Sequence, residues 1–268
     1  MGTIGFLGVG KMGEAILGSL IRTAGLPPSQ LIACDAVSER RAQVRRLYKV
    51  KVVADPRDLP AACDTIFLAV KPQNLDRVLE SLAPALTRRH LLISIAAGKS
   101  LARLQALAGG RARVVRVMPN LNVSVGAGMS VFTPGPTARA SDRRLVAKLL
   151  ASCGEVLELD ERHFDAVTAL SGSGPAFFAF FMQAMARAAE KLGLPADAAR
   201  LLANQTMLGT ARYLCERHQE PDAFIQAVCS PKGTTAAGMA VLEKSGVARA
   251  LERTLAAAAR RSRELNRG

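Results

Sequence analysis

The first 160 residues alternate short apolar runs with stretches of helical spacing. Runs of β-branched and other apolar residues, each long enough for one strand, occur at residues 3–9, 31–34, 50–53, 65–70, 91–95, 114–117 and 155–159. Runs that are apolar at nearly every position are typical of strands buried on both faces, and strands that alternate with helices form parallel βαβ units. The pattern therefore predicts an α/β fold with a parallel sheet and helices, such as 10–24, packed outside it.

After Asp160 the pattern changes to long helical stretches separated by Gly and Pro pairs, with no convincing strand. This change predicts two domains, an α/β domain at 1–160 and an all-helical domain at 161–268. The helix predicted at 176–192 is apolar nearly all round in its first half, which contains Phe177, Phe178, Phe180, Phe181, Met182 and Met185. A helix that is apolar on every side must be buried on every side, so we expect a partner subunit to cover it.

The amino-acid composition restricts the cellular compartment and the classes of ligand that we expect for this chain. No apolar run reaches the roughly 20 residues of a membrane span, and the N-terminus lacks the pattern of a signal peptide, so we expect a cytoplasmic protein. The five cysteines are odd in number and scattered, which favours buried thiols over disulfides or a metal site. The net charge of +14 invites a nucleic-acid interpretation, but the chain has two Tyr, no Trp and no basic stripe interleaved with aromatics. The excess charge therefore favours small anionic ligands.

Three glycines, Gly8, Gly10 and Gly13, follow the first predicted strand in G-x-G-x-x-G spacing and open the next helix. In this context the first permits a tight turn, the second lets the backbone approach a pyrophosphate, and the third lets helix and strand pack closely. Ordinary turn glycines are the alternative. We predict a Rossmann-type dinucleotide-binding domain at 1–160, with a cofactor-binding segment that consists of Gly8, Val9, Gly10, Lys11, Met12 and Gly13.

The end of the second predicted strand leaves the choice between NAD and NADP open. Asp35 stands about where an acidic residue receives the ribose hydroxyls and favours NAD. Arg40 and Arg41 follow at the start of a helix, where a guanidinium can bind a 2′-phosphate and favour NADP. The plainer interpretation is that both arginines lie on a solvated helix face.

Two further strand ends carry candidate cofactor ligands. The fourth strand runs into Ala69, Val70, Lys71 and Pro72 at the carboxyl edge of the sheet, where open α/β sheets bind ligands, and Pro72 is expected to start a helix. The sixth strand ends at Asn120, which can hydrogen-bond a nicotinamide amide or simply close a turn. For Lys71 the plainer interpretation is an ordinary surface lysine.

A turn of small residues at 229–235 is the candidate substrate site of the helical domain. Ser230, Gly233, Thr234 and Thr235 precede a helix expected at 236–244. Free N–H groups at a helix start, together with three hydroxyls, form a receptor for a carboxylate, whereas an ordinary N-cap needs only one hydroxyl. We therefore favour a ligand-binding turn over a simple helix cap.

Several motifs occur together in this chain. They are the glycine segment, Ala69-Val-Lys-Pro72, Ser94-Ile-Ala-Ala-Gly98, Arg116-Val-Met-Pro-Asn120, Ser171-Gly-Ser-Gly-Pro-Ala176 and, as the most specific, Ser230-Pro-Lys-Gly-Thr-Thr235. With these motifs the chain resembles the pyrroline-5-carboxylate reductase family over essentially its whole length. The resemblance implies reduction of the cyclic imine 1-pyrroline-5-carboxylate to L-proline, the last step of proline biosynthesis. It also implies NADPH as the usual donor, with NADH often accepted.

The resemblance further implies an assembly and a substrate site. Helices of two subunits interlock as a dimer, with higher assemblies of dimers allowed, and the turn at 230–235 holds the substrate carboxylate. Thr235 is the candidate catalytic residue, because its hydroxyl would reach the imine nitrogen or the carboxylate. Hydride transfer to a protonated imine needs orientation and exclusion of water more than a strong general acid.

Four positions depart from the family pattern. Lys232 replaces a glycine, which is costly if the position requires positive φ, and Asp35 is unusual for an NADP-preferring member. The other two departures are Pro56 for an asparagine near the ribose and Leu121-Asn122 for a Thr-Pro pair.

Competing functions share the architecture or only the cofactor domain. A related imine reductase is one, and a β-hydroxyacid dehydrogenase is another, although residues 172–181 lack the lysine that such an enzyme needs. A non-catalytic dinucleotide sensor or a nucleic-acid-binding protein is the alternative from a different class.

Overall fold

The structure, a computed structural model, describes residues 2–267. Its contacts divide the chain into two compact units, Met1–Ser173 with Ala258–Gly268, and Gly174–Ala257. A compact unit need not coincide with a sequence domain, so the boundary expected after Asp160 stays a prediction.

An eight-stranded sheet forms the centre of the first unit. Its strands, β1 to β8, are Ile4–Leu7, Leu31–Cys34, Lys51–Val53, Thr65–Leu68, Leu91–Ser94, Arg113–Pro119, Gly128–Pro134 and Gly154–Glu158. They lie in the order β3-β2-β1-β4-β5-β6-β7-β8, and every neighbouring pair is parallel except β6 and β7. The direction of strand order changes between β1 and β4, and open α/β sheets bind ligands at the carboxyl ends of strands at such a point.

Helices pack against this sheet, whose strands β1, β2, β4 and β5 are buried throughout, whereas the edge strands β3 and β8 are partly exposed. The helices of this unit, α1 to α7, are Lys11–Arg22, Ser38–Tyr48, Leu59–Ala62, Pro72–Leu82, Leu101–Leu107, Ala140–Leu150 and Phe164–Val167. Phe6 and Phe67, whose ring centroids stack 4.8 Å apart, belong to one apolar cluster, and their neighbours Leu7 and Leu68 belong to another. Because successive strand side chains point to opposite faces, the two clusters lie on opposite faces of the central strands.

The fold class expected from the sequence is confirmed, with one strand added. Each predicted run contains or overlaps a strand, and the run at 155–159 corresponds to β8. The sequence pattern does not predict β7, which runs antiparallel to β6. Gly, Ser, Thr and Pro are interspersed with the apolar residues of β7, so it has neither a continuous apolar run nor a clear alternation.

The second unit is helical, as expected. Its helices are α8 Gly174–Lys191, α9 Ala196–Arg217, α10 Pro221–Val228, α11 Thr234–Lys244 and the larger part of α12 Val247–Arg267. No strand occurs in the described part of the chain after Asp160. The start predicted for α11 is wrong by two residues, because Gly233 takes the N-cap position with extended φ −77° and ψ 169°.

The last turns of α12 pack within the first unit. Asp165 Oδ1 accepts hydrogen bonds from Ser262 Oγ at 2.7 Å and from Asn266 Nδ2 at 2.8 Å. The buried Arg116 of β6 donates to Asn266 Oδ1 at 3.3 Å and pairs with Glu161 Oε1 at 2.7 Å. Since a buried cation is tolerated only with such partners, Ser262 and Asn266 of α12 are part of this unit's polar core.

Candidate dinucleotide groove and substrate turn

A groove of about 410 Å³ lies at the carboxyl ends of β1, β2 and β4. This is the place where the strand order predicts a ligand site. Seven of the cofactor residues predicted from the sequence line the groove, namely Gly8, Gly10, Asp35, Arg40, Ala69, Val70 and Lys71.

The three glycines of the first loop have different surroundings. Gly8 has φ +92°, and a Cβ added there would lie 2.8 Å from the Val70 nitrogen. At Gly13 an added Cβ would lie 2.5 Å from the Gly8 oxygen, whereas at Gly10 it would meet no atom within 4 Å. The fold therefore requires Gly8 and Gly13, and the space beside Gly10 is open to a ligand.

Asp35 accepts one hydrogen bond from the glycine loop and one from the loop after β2. Oδ2 accepts a hydrogen bond from the Val9 nitrogen at 2.9 Å, and Oδ1 accepts one from the Val37 nitrogen at 3.0 Å. The Val9 N–H is thus already used within the protein, and the Met12 side chain packs against an apolar cluster. Cofactor binding by Val9, Lys11 and Met12 stays a prediction. Lys11 and Met12 would contribute backbone N–H groups at the start of α1.

Arg40 lines the groove, but every nitrogen of its guanidinium already donates to a protein group. Nε donates to the Val9 oxygen at 3.1 Å and Nη1 to Gln43 Oε1 at 2.8 Å. Nη2 pairs with Glu14 Oε2 at 2.5 Å and also donates to the Val9 oxygen. Arg40 therefore joins α2 to the glycine loop. The sequence predicts a cation that is free to bind the cofactor here, whereas the guanidinium of Arg40 is fully engaged by protein groups.

Ala69, Val70 and Lys71 follow β4 at the edge of the groove. The Ala69 nitrogen donates to the Leu7 oxygen at 2.8 Å, which joins this loop to β1. Pro72 is the first residue of α4, as predicted, at a position where the missing N–H is not needed. The Lys71 side chain is exposed and makes no ion pair with the residues at 2–267, so it is available to a ligand.

Asn120 has the geometry of a turn residue. It is buried, and its Oδ1 accepts hydrogen bonds from the Asn122 and Met129 nitrogens, both at 3.2 Å. Its Nδ2 donates to Ser171 Oγ at 3.4 Å. These bonds close the connection between β6 and β7, so the geometry favours the turn over a nicotinamide contact, and the latter stays a prediction.

The turn between α10 and α11 leaves its hydroxyls free. No side chain caps α11, and within residues 2–267 we find no hydrogen bond from the hydroxyls of Ser230, Thr234 or Thr235, which are exposed. The Gly233 nitrogen donates to the Ser230 oxygen at 3.0 Å, and a Cβ on Gly233 would collide with Ser230 Oγ. This arrangement fits an anion receptor better than a helix cap.

Lys232 lies in this turn with φ +60°, in the left-handed region. The position therefore does require the conformation for which glycine is suited. A residue with a Cβ is disfavoured there by about 1–2 kcal/mol. The departure noted in the sequence is thus a real local strain.

Metal and membrane features are not found in the part of the chain that the structure describes. None of its groups of His, Cys, Asp and Glu could hold a metal ion, and none of its helices is long and apolar enough to cross a membrane. Cys34, Cys63 and Cys153 are buried free thiols. Burial, followed by the charge of Asp35, raises the pKa of the groove-lining Cys34 to about 11, so this thiol stays protonated at neutral pH.

Comparison with known proteins matches both halves of the chain. A family model described as pyrroline-5-carboxylate reductase dimerisation matches residues 161–265, and one described as NADP oxidoreductase, coenzyme F420-dependent, matches residues 3–98. The pyrroline-5-carboxylate reductase of a Synechocystis species is 40% identical over 264 residues, with 98% of each chain covered. The chain belongs to the pyrroline-5-carboxylate reductase family. The resemblance seen in the sequence motifs is thereby confirmed.

Other members of the pyrroline-5-carboxylate reductase family agree in sequence and in structure. The Glycine max enzyme is 39% identical over 264 residues, covering 98% of this chain and 96% of its own. A structure of the Coxiella burnetii enzyme has a TM-score of 0.94 at 33% identity, and one of Plasmodium falciparum pyrroline carboxylate reductase with NADP bound has 0.88 at 28%. Both cover 98% of each chain, so the two-part architecture is that of the family throughout.

Sequence reasoning overlooked part of the groove. Val37, Ala54 and Val78 line it beside Pro56, which together give one wall an apolar surface. These residues come from the loop after β2, the loop after β3 and helix α4, and they carry no motif. Only the observed packing of the loops after β2 and β3 against α4 brings them together.

Proposed function

We propose that this chain reduces 1-pyrroline-5-carboxylate to L-proline with NADPH as the hydride donor. The observation that carries the proposal is the similarity to pyrroline-5-carboxylate reductases over 98% of the chain. The groove at the sheet edge and the free turn before α11 supply a cofactor site and a carboxylate receptor for this chemistry.

The groove residues fit a dinucleotide phosphate. The open space beside Gly10 and the free N–H groups at the start of α1 suit a pyrophosphate, and the wall formed by Val37, Ala54 and Val78 suits an adenine ring. NADP bound to the Plasmodium relative supports this class of cofactor. When bound, NADPH supplies the hydride, and the protein's part is to orient the donor and exclude water.

The turn at 230–235 is proposed to receive the substrate carboxylate. The first N–H groups of α11 and the hydroxyls of Ser230 and Thr234 can donate to the two carboxylate oxygens. The Thr235 hydroxyl can accept from the protonated imine nitrogen or donate to the carboxylate. The hydride then adds to the imine carbon while the nitrogen keeps its proton, which gives the secondary amine of proline without a strong general acid.

The active form is proposed to be a homodimer, or a larger assembly of dimers, in the cytoplasm. On α8 the side chains of Phe178, Phe180 and Met185 are 53%, 66% and 61% exposed in the single chain. Leaving such area in water is unfavourable by roughly 25 cal/mol per Å², so a second copy that covers it stabilises both. The match to a dimerisation model over 161–265 supports this assembly.

Parallel assays with two imines test the reaction. We expect NADPH absorbance to fall faster with 1-pyrroline-5-carboxylate than with 1-pyrroline-2-carboxylate at equal concentration. Turnover of the 2-carboxylate alone would indicate a related imine reductase, and NADP-dependent oxidation of a β-hydroxyacid would indicate that other dehydrogenase class. Cofactor binding without turnover of any of these would indicate a non-catalytic sensor.

A further inference from the structure

The guanidinium of Arg41 is fixed to the backbone of two residues that line the dinucleotide groove. Its Nη1 donates to the Asp35 oxygen at 2.8 Å and to the Ala36 oxygen at 2.9 Å, and both of these residues line the groove after β2. Within residues 2–267, no hydrogen bond uses its Nε or Nη2, and no carboxylate lies within ion-pair distance of it. The side chain is half-buried, so two bonds fix it while one edge stays free.

The two neighbouring arginines therefore differ in what they can offer an anion. Arg40 uses Nε, Nη1 and Nη2 for Val9, Gln43 and Glu14. Arg41 leaves the Nε–Nη2 edge open, and two parallel N–H groups on one edge are the donors that bind a phosphate in bidentate fashion. Sequence spacing cannot make this distinction, because both residues lie in the first turn and a half of α2.

Several carboxylates surround the end of the groove next to Arg41, and they would repel a bound phosphate. Burial has the largest effect on the pKa of the Cys34 thiol and raises it. The carboxylates of Asp35, Asp55 and Asp58 raise this pKa further, whereas the Arg41 guanidinium lowers it. Asp55 is paired with Arg57 at 2.6 Å, and Arg41 is the cation that acts on the Cys34 thiol against the remaining carboxylates. A doubly charged 2′-phosphate placed here without Arg41 would meet repulsion from them, whereas a ribose hydroxyl would not.

Lys71 is an exposed cation that lines the groove on a different side from Arg41. It follows β4, and in the sheet β2 and β4 flank β1 on opposite sides. With the pyrophosphate beside Gly10, the adenosine ribose extends toward the end of β2 and the nicotinamide half toward β4. Lys71 therefore faces the half of the cofactor that is the same in NADH and NADPH.

We infer that Arg41 selects NADPH over NADH by binding the 2′-phosphate through its Nε–Nη2 edge, and that Arg40 is a positioning residue for the glycine loop. The inference rests on the proposed function only for the class of cofactor and does not involve the imine. Its test can therefore fail while the proposed reaction stands.

Binding of NADPH and of NADH to the full-length protein, followed by cofactor fluorescence without imine, tests the inference. Arg41→Ala is expected to weaken NADPH binding by about 10- to 100-fold and NADH binding by less than about 2-fold, because one charge-assisted contact to the phosphate is lost. Arg41→Gln, whose amide can still donate to the loop carbonyls, should show the same selective loss. It serves as the test if the alanine variant is unstable.

Two control variants separate selection from other effects. Arg45→Ala removes the same charge one turn further along α2 at an exposed position and should leave the ratio of the two affinities within about 2-fold of the wild type. Arg40→Ala should weaken both cofactors by similar factors, because it loosens the shared glycine loop. Equal weakening of both cofactors by the Arg41 variants, loss of discrimination in Arg40→Ala alone, or no preference in the wild type would overturn the inference.

Discussion

Alanine at Gly10 should separate cofactor binding from folding. Gly10 has φ −65° and ψ −171°, which any L-residue adopts, and an added Cβ meets nothing within 4 Å. At such a position alanine lowers the entropy of the unfolded chain, which by itself stabilises the fold by about 0.4–1 kcal/mol. Gly10 is also the N-cap of α1, where glycine is preferred to alanine by a similar amount, so we expect Tm to change by no more than about 4 °C in either direction.

The same methyl group occupies the space assigned to the pyrophosphate. We expect Gly10→Ala to lose at least about 10-fold in NADPH affinity, or roughly 1.4 kcal/mol, and Gly10→Val to bind no measurable NADPH. The assay is thermal unfolding with and without NADPH, since a bound ligand raises Tm only in a variant that binds it. Wild-type protein in the same titration supplies the reference shift.

Gly8→Ala is the matched control for this prediction. The chemical change is identical, but φ is +92° and the new Cβ would lie 2.8 Å from the Val70 nitrogen, so the variant should lose more than about 1–2 kcal/mol of stability. A Gly10→Ala protein that is destabilised as much as Gly8→Ala, or that keeps the wild-type NADPH-induced shift, would refute the assignment of this space to the phosphates.

Three further predictions concern the helical unit. Thr235→Ala should lower kcat/KM for 1-pyrroline-5-carboxylate by about 10- to 150-fold with NADPH affinity nearly unchanged, whereas a residue that only caps α11 would show a lower Tm and intact kcat/KM. Lys232→Gly should raise the free energy of unfolding by up to about 1 kcal/mol, because relief of left-handed strain outweighs the added freedom of the unfolded chain, and chemical denaturation that gives a lower value contradicts this. Sedimentation at micromolar concentration should give a dimer or a multiple of dimers, and a monomer would contradict the covering of Phe178 and Phe180 by a second copy.

The features that the sequence predicts are those encoded by local periodicity and by motifs with a fixed place on a strand or helix. Apolar runs such as 65–70 identify strands, because a strand buried on both faces has no polar positions. The glycine spacing predicts the loop after β1, and the structure assigns Gly8, Gly10 and Gly13 the geometries that their three roles require. Family membership then follows from motifs spread over both units.

Side-chain partnerships could not be predicted in the same way. Arg40 and Arg41 are adjacent in the sequence and lie at the same distance range from the glycine loop and β2, so the sequence does not distinguish them. In the structure only Arg40 contacts Glu14 and Val9. Asp35 is engaged by two backbone N–H groups that no motif predicts. The return of α12 to the first unit likewise depends on Asp165 and Arg116, which are about 100 and 150 residues away from Asn266 in the chain.

Transfer of deuterium from NADPH to proline tests whether the protein reduces the imine by hydride transfer. The protein is incubated with 1-pyrroline-5-carboxylate and NADPH that carries deuterium at both C4 positions of the nicotinamide, and the proline formed is examined by mass spectrometry and NMR. We expect one deuterium on C5 of proline for every NADPH oxidised, because the hydride adds to the imine carbon. Unlabelled proline, label at another carbon, or NADPH oxidation without proline would contradict it.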